Sequence, residues 1–481
     1  MTRTVLAIDL GTSRVKVGMI NDQLEVLVTA SANYPTYVER PDVAEQRPEE
    51  WISAISQAWR EVRVARPDVS IDAVVLTAQM PTLVELDDRN QVIDRAVTWQ
   101  DSRAEEFVTE RLSADERNRI CEVAGTPIDG RYLIPMYFHR RHAELPEPAT
   151  ILSAKDFVFH VLTDRKWTDP STASGFGNYD LAAQHFSDEL NSLWGFDAQL
   201  LPTVKPSNSS AMLAPSGEVV LDGLGSGRIP VVLGAADSVA AFHYVERIFG
   251  PAMAIIDGSS TVILGAADDS NADHPKLLIT PLVDSARCGV EMDLLATGSS
   301  IAWLANLFNR SETDLETLAL AVEDKAANPI LFSPYLSGGE QGALWRTDLS
   351  GVISNLSLSS SQGDIALALY EGIAYEVLRC LDVLASPSVS PAVVWLVGSF
   401  NDGLLPALVS ALGHYRVTTV RGLSPSLLGA ALIALEDMKE MPDLAALRDS
   451  QASTTLEFDP SYVAALSAKR RDYLAAFEGS T

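Results

Sequence analysis

Two acidic residues stand where a carboxylate can meet a reacting group instead of a surface cation. Asp9 ends the apolar run Val5-Leu-Ala-Ile8 and opens Asp9-Leu-Gly-Thr-Ser13. A carboxylate at a strand end, beside a Gly turn whose amides approach phosphate, can hold Mg2+ through water, because that ion prefers oxygen ligands and keeps several waters. An ordinary hairpin turn explains the same five residues about as well. Asp237 follows Val231-Val-Leu-Gly-Ala-Ala236 and precedes Ser238-Val-Ala-Ala-Phe242. There it could accept a proton from a substrate hydroxyl, or cap a helix that begins at Ser238. Gln79-Met80-Pro81 and Trp99-Gln-Asp-Ser-Arg103 each follow an apolar run. Their amide, carboxylate and guanidinium groups beside an aromatic face suit a polyhydroxyl ligand. The alternative is a core Trp next to an Asp-Arg pair. Gly298 and Gly398 lie among small residues, open to close backbone approach or to plain packing.

A repeat strengthens the phosphate reading of Asp9. The stretch Ala7 to Gly18 returns without a gap as Ala254 to Gly265: Gly11 matches Gly258, Thr12 matches Ser259, and Ser13 matches Ser260. Two such turns could offer backbone N–H groups to opposite sides of one polyphosphate. The carboxylate is not repeated, since Asp9 faces Ile256. A repeat near the midpoint predicts two large lobes, residues 1–245 and 246–481. Asp237 then falls directly before the second copy, at the expected cleft, which favours the base over the helix cap.

The elements that must carry these residues are legible in the patterning. Val5–Ile8 and Val15–Ile20 read as a hairpin, and Leu24–Ala30 as a third strand. Pro48-Glu-Glu-Trp51 opens a helix whose Trp51, Ile52, Ile55, Trp59 and Val62 share one face. Ile71–Thr77 and Ile229–Leu233 read as strands that deliver Gln79 and Asp237. Glu105 to Trp194 is helical with irregular insertions and decorates the first lobe. In the second lobe, a long helix is predicted near Ile365–Leu384, a strand at Val393–Val397 and a Gly-Ala-rich helix at Leu427–Leu435.

Composition removes several classes of function. Lys plus Arg number 36 against 64 Asp plus Glu, a net charge of -28, which disfavours nucleic acid and anionic membrane as partners. No apolar run is long enough for a membrane span, and no signal segment opens the chain, so a cytoplasmic protein is expected. The three cysteines are widely spaced and fit reduced core thiols. The seven histidines show no metal-ligand spacing. P-loop, dinucleotide, zincin and hydrolase-elbow motifs are absent.

The ordered set of segments resembles the FGGY carbohydrate kinase family, of the actin-like ATPase superfamily, along nearly the whole chain. To the segments above it adds Glu45-Gln-Arg-Pro-Glu-Glu-Trp51, Lys155-Asp-Phe157, Thr168-Asp-Pro-Ser-Thr-Ala-Ser174, Gly234-Ala-Ala-Asp237, Pro334-Tyr-Leu-Ser-Gly-Gly-Glu340, Glu371-Gly-Ile-Ala374 and Gly429-Ala-Ala431. The resemblance implies an α/β fold of two ribonuclease-H-like lobes with an interlobe active-site cleft. It implies phosphorylation of a small sugar or polyol, most of all a pentulose such as xylulose, at the expense of ATP with Mg2+. Asp237 would be the base, and Asp9 with Asp237 would face the metal. Gly11, Thr12, Ser13, Gly258, Ser259 and Ser260 would hold phosphate, and Gly298, Gly398 and Asn401 the adenosine. Gln79, Met80 and Trp99 would face the sugar. Pro81-Thr82 stands where xylulokinase-like members tend to carry His-Gly, and Gly339-Glu-Gln341 replaces the usual Gly-Glu-Arg. Departures of this kind in the second lobe motivate a second reading, a catalytically weak sugar-binding or regulatory relative. A homodimer is left open.

Overall fold

The computed structural model describes all residues except 1–2, 41, 143–144, 268–276, 338, 347, 385–391, 397–402, 414, 416, 421–423, 440–443, 451–455 and 478–481. The chain divides into two units. The first comprises Met1–Tyr244, Ile279–Gly289 and Pro425–Leu444; the second comprises Val245–Leu278, Val290–Ser424 and Ala445–Thr481. The sequence reading has a single cut at 245/246. The helix containing Gly429-Ala-Ala431 groups instead with the first unit.

In the first unit, strands β1 (Thr4–Leu10), β2 (Arg14–Asn21), β3 (Val26–Asn33), β4 (Ala73–Ala78), β5 (Ser210–Met212) and β6 (Pro230–Ala236) form one sheet in the order β5-β6-β4-β1-β2-β3. β1, β4 and β6 run parallel, and β2 and β3 are antiparallel additions. Every residue of β1 and β4 is buried, as expected of inner strands covered on both faces. Side chains alternate across a strand. Leu6, Ile8 and Leu10 therefore join one core with Val15, Val17, Trp51, Ile55, Trp59, Phe157 and Leu233. That core lies under the helices Pro48–Ala65 and Ala154–Thr163. Val5, Ala7 and Asp9 lie on the opposite face, against which the helix Pro425–Asp437 packs. Gly429 in that helix lies so close to the Ala240 carbonyl that a β-carbon would not fit. His243 Nε2 and Glu436, 3.0 Å apart, tie that helix to the helix Asp237–Phe249, which also carries Ala240.

A smaller sheet flanks this core, built from Glu45–Gln46, Ala96–Thr98, Thr82–Leu86 and Thr150–Leu152. Helices between residues 105 and 194 enclose a second cluster containing Ile120, Leu133, Ile134, Phe176 and Trp194.

In the second unit, β7 (Ala252–Asp257), β8 (Thr261–Ala266), β9 (Cys288–Leu294), β10 (Ala392–Leu396) and β11 (Val417–Val420) run in the order β9-β8-β7-β10-β11. The topology repeats that of the first unit. β7 pairs antiparallel with β8 and parallel with β10, as β1 pairs with β2 and β4. The helix Gln362–Leu384 is buried along most of its length.

The repeat is not congruent at its turns. In the first copy Leu10 pairs with Val15, leaving four residues, Gly11–Arg14, between the last paired positions. In the second Asp257 pairs with Thr261, leaving only Gly258–Ser260. The ungapped sequence match thus hides a one-residue difference in pairing register. Among the described residues no helix is long and apolar enough to cross a membrane. Cys121, Cys288 and Cys380 are free thiols.

Candidate active site

The parallel strands of the first unit end side by side, and their C-terminal ends collect its candidate residues. Asp9 is in register with Thr77, and Thr77 with Ala235. The Thr77 hydroxyl donates to the Ala235 carbonyl at 2.9 Å. Asp9 and Ala235, two residues before Asp237, therefore stand two strands apart, roughly 10 Å at the usual interstrand spacing. Gln79 leaves the strand between them, its amide bonded to Leu10 O. Open α/β sheets bind ligands outside such carboxyl ends.

Asp237 is reached through a bulge. The β6–β4 register shifts between Val232 and Ala235, and Gly234 there has φ of +70° with no room for a β-carbon against the Leu76 carbonyl. Only glycine satisfies both conditions. The Ala236 amide donates to Ser171 Oγ at 3.0 Å, and that hydroxyl donates to Asp169 Oδ2 at 2.5 Å. Asp169 is fully buried; it also accepts from Thr172 and Ser207 and pairs with Lys155 Nζ at 3.0 Å. Burial pushes the neighbouring Asp156 carboxyl up to about 6, against the pull of the Lys155 ammonium. Asp237 is the first residue of the helix Asp237–Phe249, and its Oδ1 accepts from the Ser238 amide at 2.8 Å. It has the helix-start geometry of the cap reading together with the strand-end position of the base reading.

The first turn is held by its carbonyls. Gly11 O accepts from the Tyr34 hydroxyl, Thr12 O from Gln46 Nε2 and Ser13 O from the Tyr34 amide. Among the described residues the amides of Thr12 and Ser13 find no protein acceptor. That is the arrangement an anion-binding turn needs. Burial raises the Tyr34 phenol, and the charges of Asp9 and Asp237 raise it further; both carboxylates are thus felt at one hydroxyl. Trp99, half-buried, points its Nε1 at Thr12 Oγ1 across 3.4 Å. Asp101 and Arg103 form a partly buried pair completed by Glu45, a structural role. Met80 lies against Gly175, which opens the stretch Gly175-Phe-Gly-Asn-Tyr-Asp180.

In the second unit the helix Gly298–Leu307 begins on the repeated turn. Ser299 donates to the Ser259 carbonyl through its amide at 2.9 Å and its hydroxyl at 3.0 Å. Gly298 abuts the Gly258 carbonyl too closely for any side chain, so its packing role is evident. Gly398 and Asn401 lie outside the described residues.

Tyr34, Gln46, Asp169, Ser171 and Ser426 were not assigned roles from sequence. Gln46, Asp169 and Ser171 lie in the segments Glu45–Trp51 and Thr168–Ser174 that carry the family resemblance; nothing in the local pattern marks Tyr34.

The pattern of the FGGY family of carbohydrate kinases, N-terminal domain, matches residues 4–243, and that of its C-terminal domain matches residues 253–437. The chain belongs to this family. The FGGY kinase has the two-lobed actin-like ATPase fold and is a phosphotransferase acting on a carbohydrate. It is 22% identical to a gluconokinase of Bacillus licheniformis over 473 residues, covering 94% of this chain and 91% of the relative. It is 25% identical to a xylulose kinase of Escherichia coli (strain K12) over 399 residues, 82% and 81% of the two chains. The solved gluconate kinase from Lactobacillus acidophilus superposes with a TM-score of 0.84 at 20% identity, covering 99% of this chain and 98% of that one.

Proposed function

We propose that this FGGY kinase moves the ATP γ-phosphate to a terminal hydroxyl of a small neutral sugar, a pentulose such as xylulose first among them. The observation that carries the reading is an unmet acceptor. Gln79 is 2% exposed, its Nε2 donates to Gln46 Oε1 at 3.0 Å, and its Oε1 has no partner among the described residues. The amide cannot be turned round. Trp51 Nε1 can only donate, so the Gln46 atom it meets is the oxygen, and the Gln79 atom facing that oxygen is the nitrogen. A sugar hydroxyl can donate to Gln79 Oε1, which suits a polyhydroxyl ligand, and the choice between a neutral sugar and a sugar acid falls to the charges around the site. Two cations of this unit, Arg103 beside the Glu45 next to Gln46 and Lys155 beside the Asp169 behind Ala236, are each matched by two carboxylates. That favours a neutral acceptor over a sugar acid.

In this reading Asp237 takes the proton from the hydroxyl as it attacks the γ-phosphorus in line. A carboxylate is a modest base, but a loose phosphoryl transition state asks chiefly for positioning and charge stabilisation. Gln79, Met80 and Trp99 orient the sugar. Gly11, Thr12 and Ser13 hold the phosphates of ATP, and the repeated turn of Gly258, Ser259 and Ser260, with Gly298, supplies nucleotide-binding residues of its own. Mg2+ ordinarily takes one or two carboxylates together with phosphate oxygens and water. The donor set here fits: Asp9 is buried with a hydroxyl on Oδ2, and its charge and that of Asp237 meet at Tyr34. When bound, the ion would neutralise phosphate charge.

The test is ADP release, coupled to a dye, across ketopentoses, polyols and gluconate. Higher kcat/KM for a pentulose is expected. A preference for gluconate would remove the neutral-acceptor reading and leave the kinase assignment standing.

A further inference from the structure

The motif Glu45-Gln46-Arg47-Pro48-Glu49-Glu50-Trp51 has no assigned role in the reaction, yet its Gln46 touches both halves of the first unit's site. Gln46 is 0% exposed. Its Oε1 accepts from Trp51 Nε1 and Gln79 Nε2, each at 3.0 Å. Its Nε2 donates to Thr12 O at 2.6 Å and to Thr36 Oγ1 at 2.8 Å. Both amide hydrogens are used, and the oxygen accepts two bonds. Because an indole only donates and a carbonyl only accepts, rotating the amide would break contacts on both sides at once. The backbone of Gln46 is fixed as well, in a strand paired with Ala96 just before Trp99.

We infer that Gln46 is a positioning residue that joins the acceptor-reading amide of Gln79 to the phosphate-holding turn at Thr12. This rests on the roles proposed above for Gln79 and Thr12. A phosphoryl transfer needs the attacking oxygen and the phosphorus in near-attack geometry, and displacement by about 1 Å can cost on the order of 100-fold in rate. Holding both recognition elements on one side chain removes their independent motion. Tyr34 supplies the turn's other supports, at Gly11 O and Ser13 O. Loss of Gln46 therefore loosens the turn without abolishing it.

The test compares full-length wild type with Gln46→Met, which keeps side-chain length and removes all four polar contacts. Thermal unfolding first establishes that the variant is folded. Calorimetry with Mg·ADP alone, in the absence of any sugar, is expected to show Kd raised about 3- to 10-fold, and kcat is expected to fall about 10- to 100-fold. Gln79→Leu, with Gln46 intact, should raise the acceptor KM and leave Mg·ADP binding without sugar unchanged. A packing role alone would lower the unfolding temperature and leave Kd and kcat at wild-type values well below it; that result overturns the inference. If Gln46→Met does not fold, Thr36→Val removes a single contact and should move both quantities about two- to threefold in the same direction. No movement there also overturns it. If no acceptor stimulates the wild type, the substrate reading fails, and Mg·ADP binding still decides whether Gln46 holds the turn.

Discussion

Ser426 donates its hydroxyl to Asp9 Oδ2 at 2.8 Å, across 417 positions of sequence. The contact belongs to the face of β1 that the helix Pro425–Asp437 covers, and it helps to fix the direction of the Asp9 carboxylate. Ser426→Ala should leave the acceptor KM near wild type and reduce kcat with Mg·ATP by about 10-fold, the order expected for one hydrogen bond to a charged group. Titrating Mg2+ at fixed ATP checks this. An unchanged Mg2+ dependence would separate Ser426 from the metal side.

Asp237→Asn is expected to fold, to bind sugar and to lose sugar-dependent ADP production. Asp9→Ala should weaken use of Mg·ATP with little change in sugar binding. Calorimetry with each ligand separately, alongside turnover, distinguishes the two. Near-normal turnover of the Asn variant removes Asp237 from the mechanism.

Ser171→Ala removes the hydroxyl between the Ala236 amide and Asp169. It should lower kcat about 10-fold and leave the acceptor KM unchanged, because the group acts only through the backbone before Asp237. In the Asp237→Asn background the same substitution should have no further effect on turnover. An additive loss would mean that Ser171 acts elsewhere.

Gly234→Ala should destabilise the first unit by about 3 kcal/mol or more, since positive φ and a backbone clash combine. Gly227→Ala is the control: its φ is +71° and nothing lies within 4 Å. It should cost only about 1–2 kcal/mol, from left-handed strain alone. Urea unfolding of the two variants checks the difference.

In the second unit, burial pushes the Glu340 carboxyl from 4.5 up to about 7, and the nearby Glu376 charge adds to the effect. A raised pKa means that the folded state holds the proton more tightly than the unfolded chain. The stability this group contributes is full below pH 4.5 and is lost as pH climbs through about 7. The change is at most about 3 kcal/mol. Tyr335 and Cys380 face the same carboxyl, and both are raised by burial. Glu340→Gln keeps an acceptor for the Leu344 and Trp345 amides. It should flatten the loss of stability between pH 5 and pH 7 in urea titrations. A slope equal to wild type would assign the titration to another group.

What was legible in the sequence follows from range. Trp51, Ile52, Ile55, Trp59 and Val62 announce one helix face through local spacing; all but Ile52 are buried, and Ile52 is half-buried at its edge. The small-residue approach to Asp237 reads as a strand end because β6 is a continuous apolar run. The repeat exposed the two hairpins but not their one-residue register difference, since pairing depends on loop closure and not on identity. Tyr34 was illegible: a tyrosine near a strand end gives no sign that its hydroxyl will reach the Gly11 carbonyl. Gly298 was open between ligand and packing, and only the closeness of the Gly258 carbonyl displays its packing role. The Ser426 contact required knowing that a late helix covers an early strand.

The place of that helix bears on how the chain is made. Domains tend to fold as they leave the ribosome, amino-terminal first. The first sheet has all its strands by Ala236, yet the helix covering one face of β1 begins at Pro425, after every strand of the second sheet. A nascent chain must therefore wait, with that apolar face bare, until synthesis is nearly finished. A fragment ending near Tyr244 would expose the same face permanently and is expected to depend on chaperones or to aggregate.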